Sequence, residues 1–316
     1  MHQMVSPPTF GSLVECVPNI SEGRRPEVMD TIQSAVEGVR GAVLLDRHAD
    51  AAHNRMVLTF AGPPGPVAEA AFRVVARSAE LIDLDQHRGV HPRMGAADVV
   101  PFVPLGSTTM ALCVELAVRV GRRIAAELDL PVYLYAEAAQ RPERRRLPDI
   151  RRGEYEHLRE RVPIDTRLAP DFGPARLGPA GATAVGARPP LIAYNVTLAT
   201  GDLALARGIA RTIRESSGGL PAVQARGFPT EDPSVVQVSV NLLDFRRTPL
   251  HVVFERIRHL AEQQGVEVLA SELVGMAPTA ALVDVARHAL RFSRLDASAS
   301  IESRLLASSL GTLSNE

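Results

Sequence analysis

Twelve residues, HRGVHPRMGAAD from His87 to Asp98, hold two histidines, two arginines, two glycines and a proline. A histidine side chain titrates near neutrality and can take or give a proton at physiological pH. Gly89 and Gly95 permit close backbone approach, and Pro92 stiffens the turn after His91, so a ring placed here can be held still. His87 and His91 also stand four residues apart, as a metal pair can. No Asp, Glu or Cys stands at a familiar ligand spacing beside them, so no metal is expected. Neither a helical stripe nor a strand alternation produces this residue list. It reads as a loop built for chemistry.

Bulk composition narrows that chemistry. All 35 cationic side chains among the 316 residues are arginine. With no lysine there is no lysine Schiff base and no lysine general base, and anions must be met by arginine forks or backbone N–H groups. The net charge is −1, aromatics make up 4% and tryptophan is absent, so neither nucleic acid nor a membrane surface is an expected partner. No apolar run approaches the roughly 18 residues of a membrane span, and the first residues lack the pattern of a signal peptide. A cytoplasmic location is expected. Cys16 and Cys113 are far apart in apolar surroundings and read as core residues.

The loop must be positioned by what surrounds it. Leu13–Ser21 reads as a strand ending in a turn. A helix with Pro26 near its start follows, then two strands around a polar loop (GAVLLDRHAD and HNRMVLTFAG), then a helix led by prolines. DVVPFVPL reads as a strand whose Pro101 puts it at an edge or a bulge. The next helix takes Ser107 or Thr108 as its cap, and LPVYLYA is the strand after it. The charged run Gln140–Pro163 reads as a solvated connection with short helices. Ala169–Pro190 reads as a long Gly/Pro/Ala loop, a length that points to function or disorder. The second half repeats β-α-β-β-α-β. The expectation is an α/β (α+β) chain of two ferredoxin-like βαββαβ subdomains. Their mostly antiparallel sheets are covered by helices, with a ligand groove between the subdomains.

An ordered set of stretches carries a resemblance: LVECVPNISEGR, LLDRHAD…HNRMVLTFAG, LIDLDQHRGVHPRMGAADVVPF, PVYLYAEAA, LPDIRRGEYEHL, PDFGPA, GATAVGARPPLIAYNV and QVSVNLLDF. Together, over about Leu13 to Leu290, they resemble the formiminotransferase domain of glutamate formimidoyltransferases. The resemblance implies subdomains at 13–187 and 188–300 between disordered tails (1–12 and 301–316), and a homodimer. The implied activity is transfer of a formimino group from N-formimino-L-glutamate to tetrahydrofolate, a co-substrate, in histidine breakdown. A separate protein would then release ammonia.

Carried over residue by residue, the catalytic histidine of HPRMG falls on His91, the general base. The folate-binding loop falls on Gly173, Pro174, Ala175, Arg176, Leu177, Gly178, Pro179, Ala180 and Gly181. The remaining candidates follow from the substrates. Glu22, Asp46 and Asp50 could balance charge on a tetrahedral amidine adduct. Arg55, Arg93 and Arg188 could fork substrate carboxylates. Asn19 and Asn54 could hold pterin or amide edges, or could simply shape turns. His48 stands where the family often carries a second carboxylate. Arg88 reads as solvated, Asp98 as a cap or the start of the next strand, and His87 as a bystander or a partner of the catalytic group. The alternative function is a folate-binding homologue with lost or altered catalysis, such as transfer from 5-formyltetrahydrofolate.

Overall fold

A computed structural model describes residues 12–51, 53–89, 92–301 and 303. The expected tails lie outside the described residues, apart from a residue or so at each inner end. Two compact units divide the chain, one up to Arg188 and one from Pro189 onward.

The first unit holds β1 (Leu13–Cys16), β2 (Asn19–Ile20), α1 (Pro26–Glu37), β3 (Val43–Asp50), β4 (Arg55–Gly62) and α2 (Pro64–Leu81). It continues with β5 (Ala97–Leu105), α3 (Met110–Leu128), β6 (Val132–Ala136), α4 (Leu147–Ile150), α5 (Glu154–Arg161) and β7 (Thr183–Ala187). The strands form one seven-stranded sheet. β1 and β2 lie end to end between β4 and β5, antiparallel to both, and β3 closes the edge beyond β4. β7 lies parallel to both β5 and β6. The helices bury apolar stripes at helical spacing, such as Met29, Ile32 and Val36 of α1. Pro26 and Pro64 begin α1 and α2, where a missing N–H costs nothing.

Four readings of the sequence are corrected here. Leu13–Ser21 is two strands, because Pro18 interrupts the ladder between them. β5 is central rather than an edge strand. Its Pro101 is tolerated because it faces that interruption, where the Val17 amide donates to the Pro101 carbonyl at 3.3 Å. The cap of α3 is Thr109, whose hydroxyl accepts from the Leu112 amide, while the Thr108 hydroxyl donates to the Leu13 carbonyl. The Gly/Pro/Ala loop contains β7, a strand of small residues (TAVGA) buried throughout. Alternation is invisible in such a segment, because both faces are covered.

The second unit is β8 (Ile192–Leu198), α6 (Leu203–Ile213), β9 (Val223–Pro229), β10 (Val236–Leu242), α7 (Leu250–Glu262), β11 (Val268–Val274) and α8 (Thr279–Ala289). Its four strands are antiparallel in the order β11-β8-β10-β9. β8 alternates buried and half-buried residues along its whole length, with Ile192, Tyr194, Val196 and Leu198 facing the helices. Among the described residues no helix is long and apolar enough to cross a membrane.

Candidate functional site

The loop that drew attention first is knitted to three other segments. Val90 and His91 lie outside the described residues, but both flanks are described. The Ser21 hydroxyl donates to the Gly95 carbonyl at 2.7 Å, and the Ser21 amide to the Ala96 carbonyl at 2.8 Å. From the other side, the Ala96 amide donates to the Ala180 carbonyl and the Ala182 amide to the Met94 carbonyl, both at 2.9 Å. A side chain at Gly95 would put its Cβ 1.9 Å from the Ala182 carbonyl oxygen, so only glycine fits this crossing. NISEG, HPRMG and the Gly173–Gly181 loop are therefore hydrogen-bonded neighbours.

Asn54 joins a further turn to this assembly. Its backbone takes a left-handed φ of 49°, which asparagine adopts more readily than most residues. Its Oδ1 accepts from the Gly23 amide and its Nδ2 donates to the Arg88 carbonyl, each at 3.0 Å. Its own carbonyl meets His87 Nε2 at 3.1 Å. That carbonyl can only accept, so Nε2 carries the proton. The opposite nitrogen, Nδ1, accepts from Arg93 Nε at 3.2 Å. Both ring positions are thus used by a neutral imidazole. Burial, with help from the Arg93 cation, lowers the His87 pKa. His87 is a positioning residue, fixed between Asn54 and Arg93.

Arg93 does not present an open fork. Its guanidinium pairs in bidentate fashion with Glu156 at 2.7 and 2.9 Å, and touches Glu154 at 3.4 Å. Glu156 raises its pKa, against a smaller opposing effect of burial. The charged run is accordingly more than a solvated connection. Tyr155 and Leu158 enter the core, and the Tyr155 amide donates to the Arg93 carbonyl. Arg144 is buried in an ion pair with Asp171.

Glu22 is 2% exposed, and its carboxylate closes its own turn. Oε1 accepts from the amides of Gly23, Arg24 and Arg25, and Oε2 from the Arg25 guanidinium. Burial alone would raise its pKa, but those hydrogen bonds together win and hold it low. Asp46 and His48 sit on edge strand β3, half-buried and exposed respectively. Asp50, at the end of β3, accepts from the His53 amide and pairs with the His53 ring at 2.6 Å.

A recess lined by Asn19, Asn54, Arg55, His87, Arg93 and Asp98, among others, opens at this end of the sheet. Arg55 donates to the Asn19 side-chain oxygen, yet its buried Nε–H has no partner. Burial first, then the Arg151 cation, lower its pKa to about 10, against Asp98 and Asp50. Asp98 is 3% exposed. It accepts from the Met94 amide at 2.8 Å and pairs with Arg151, whose buried Nε–H is also unpartnered. Arg188 lies at the end of β7, with its amide on the Phe102 carbonyl and its guanidinium hydrogen-bonded to the Tyr135 hydroxyl. Burial pushes that hydroxyl up to about 12 despite Arg188 and Arg151 nearby.

In the Gly173–Gly181 loop, Gly173 and Gly181 have φ of 86° and 72° and are packed against backbone, whereas Gly178 faces open space. Leu177 is buried, and Arg176 pairs with Asp129 at the surface. The Pro179 carbonyl accepts from Leu84, and Ala180 from Ala96. Pro174 and Ala175 continue the same loop. Among the described residues, no group of three or more His, Cys, Asp or Glu could hold a metal ion.

The recess therefore unites Asn19, Asn54, Arg55 and Arg93, with the Glu22 turn behind it. Asp46 and His48 are not among its lining residues. The sequence reading gave Arg151 no role and Asp98 only that of a cap or strand start. One Asp at a strand start and one Arg among many carry no signal of their own.

Comparison with known proteins points the same way. Residues 13–188 match the family model described as the formiminotransferase domain, N-terminal subdomain, and residues 193–312 match the formiminotransferase domain. The chain is 46% identical to the glutamate formimidoyltransferase of Thermoplasma acidophilum, over 90% of this chain and 94% of that protein. It is 43% identical to the glutamate formimidoyltransferase of Streptococcus pyogenes, over 91% and 96%. It also matches the formimidoyltransferase-cyclodeaminase of Mus musculus at 47% identity, over 88% of this chain and 52% of that protein.

Proposed function

The chain belongs to the formiminotransferase family, a family of transferases, and on that premise we propose that it moves the formimino group of N-formimino-L-glutamate to tetrahydrofolate. N5 of tetrahydrofolate attacks the amidine carbon, forming a C–N bond and a tetrahedral adduct. The N5 proton passes to the neutral imidazole of His91. The adduct collapses by breaking the bond to the glutamate nitrogen, which leaves with a proton returned by the same histidine. The products are 5-formimidoyltetrahydrofolate and L-glutamate.

The observation that carries this reading is the antiparallel bridge between Gly95 of HPRMG and Gly181 of the Gly173–Gly181 loop, flanked by the Ala96–Ala180 and Ala182–Met94 backbone bonds. A base and a folate-binding loop must be held near one another, and backbone bonds from strand ends do this better than flexible side chains. Gly178 is half-buried but has nothing within 4 Å of where a Cβ would stand, which leaves room for a flat ring to approach that backbone. Purified protein given N-formimino-L-glutamate and tetrahydrofolate should form product only when both are present. Absence of product with both, at saturating concentrations, would refute the reading.

A further inference from the structure

Two guanidinium groups lie near one carboxylate of the recess, and only one of them is paired with it. Arg151 pairs with Asp98, while Arg55, which lines the recess beside Asp98, is bonded to Asn19. Each guanidinium keeps a buried Nε–H with no acceptor. A buried donor without a partner is a standing cost that folded chains rarely keep. The two cations also oppose each other, since Arg151 lowers the pKa of Arg55. Asp98 relieves neither Nε–H, since it meets Arg151 through a terminal nitrogen and the Met94 amide on its other oxygen. What would satisfy these unmet N–H donors and the two neighbouring cations is a small planar anion. A carboxylate has that shape, and arginine forks match it.

We propose that Arg55 and Arg151 form a carboxylate seat that holds the glutamate portion of the formimino donor. Of the three forks expected from sequence, Arg55, Arg93 and Arg188, Arg93 is committed to Glu156. The seat also reaches the catalytic loop. Asp98 binds Arg151 on one oxygen and the Met94 amide on the other, so an anion that draws Arg151 toward itself pulls on the residues just after HPR. Arg151 is a substrate-binding residue, and Asp98 positions it.

This inference rests on the proposed glutamate-derived donor, so the test separates the two. Glutarate binding to the whole chain is measured by calorimetry, with its uncharged diamide as the control. Wild type should bind glutarate and not the diamide. Arg55→Gln and Arg151→Gln should each weaken glutarate by about 10–100-fold. In the transfer assay both should raise KM for formiminoglutamate, with KM for tetrahydrofolate unmoved. Arg55→Lys, keeping charge but not the fork, should fall between. If Arg151→Gln proves unfolded by circular dichroism, Arg55→Gln decides alone. Unchanged glutarate affinity in a folded variant overturns the seat, as does wild type that ignores glutarate. Wild type that binds glutarate through these arginines but transfers nothing would leave the seat standing and refute the donor.

Discussion

The two units treat polar side chains in opposite ways. The second is a regular antiparallel sheet with apolar residues inward and polar residues outward, and Thr248 is its only buried polar or charged residue among those described. The first buries Ser21, Glu22, Asn54, His87, Arg93 and Asp98 around one end of its sheet, and Arg144 and others elsewhere. Burying such groups is unfavourable unless every charge and donor is matched. A fold can form without doing so, as the second unit demonstrates. The cost accepted in the first unit is concentrated where binding and catalysis are proposed.

The largest break in this comparison should come from His91→Ala. Removing a general base costs about 10²–10⁴-fold in turnover. Tetrahydrofolate affinity should stay within a few-fold of wild type, because the Gly173–Gly181 loop keeps its own backbone bonds. A kcat within a factor of a few of wild type would leave His91 without its assigned role.

Next in size is a pair of glycine changes. Gly95→Ala drives a Cβ against the Ala182 carbonyl, and backbone there cannot swing aside. A loss of at least about 3 kcal/mol in urea unfolding is expected. Gly208→Ala in α6 meets nothing within 4 Å and should stabilise by about 0.5–1 kcal/mol. Similar midpoints for the two variants would mean that the crossing of the two loops is not as tight as drawn.

Arg93→Met against Thr248→Val sharpens the contrast further. The first removes the donor to His87 Nδ1 and releases Glu156, at a cost of about 1–3 kcal/mol, and should lower turnover as His87 loosens. The second removes one hydrogen bond to the Pro221 carbonyl, at a cost of about 1 kcal/mol, with kcat unchanged. Turnover that falls equally in both would remove the functional difference between the units.

How much of this was legible in the sequence follows the same division. The second unit's strands and helices appear in the sequence with nearly their observed limits, because alternation and helical stripes are products of one-sided burial. In the first unit the periodic helices and β3 and β4 are equally plain. What escapes is structure set by long-range partners. β7 has no alternation because both its faces are covered. Pro101 looks like an edge residue until the break at Pro18 is seen opposite it. Arg151 and Arg152 are adjacent in the sequence, yet one is half-buried on Asp98 and the other lies at the surface on Asp149. Composition cannot tell them apart. Only the approach of α4 to the start of β5 does so.

The smallest predicted effect is one of pH, and it compares two histidines. His87 in the first unit and His251 in the second both have lowered pKa values, with burial the leading cause in each. A histidine with a lowered folded pKa binds its proton more readily when unfolded. Its stabilisation is therefore complete above the unfolded value of about 6.5 and is lost as the pH falls below it. At His87 the incoming proton would land on Nδ1, which faces the Arg93 Nε–H, so protonation must break that bond. At His251 the Nδ1 makes no hydrogen bond and faces the Asp284 carboxylate at 3.5 Å, while the ring stacks on His288 at 4.1 Å, so burial and the second imidazole oppose the added charge more than Asp284 favours it. Tm measured from pH 7.5 to 5.5 should fall for wild type on the acid side. His87→Gln should flatten that slope and also depress turnover at neutral pH, because Arg93 loses its acceptor. His251→Gln should flatten the slope alone. Identical slopes for wild type and His87→Gln would show that the imidazole between Asn54 and Arg93 is not held neutral by its surroundings.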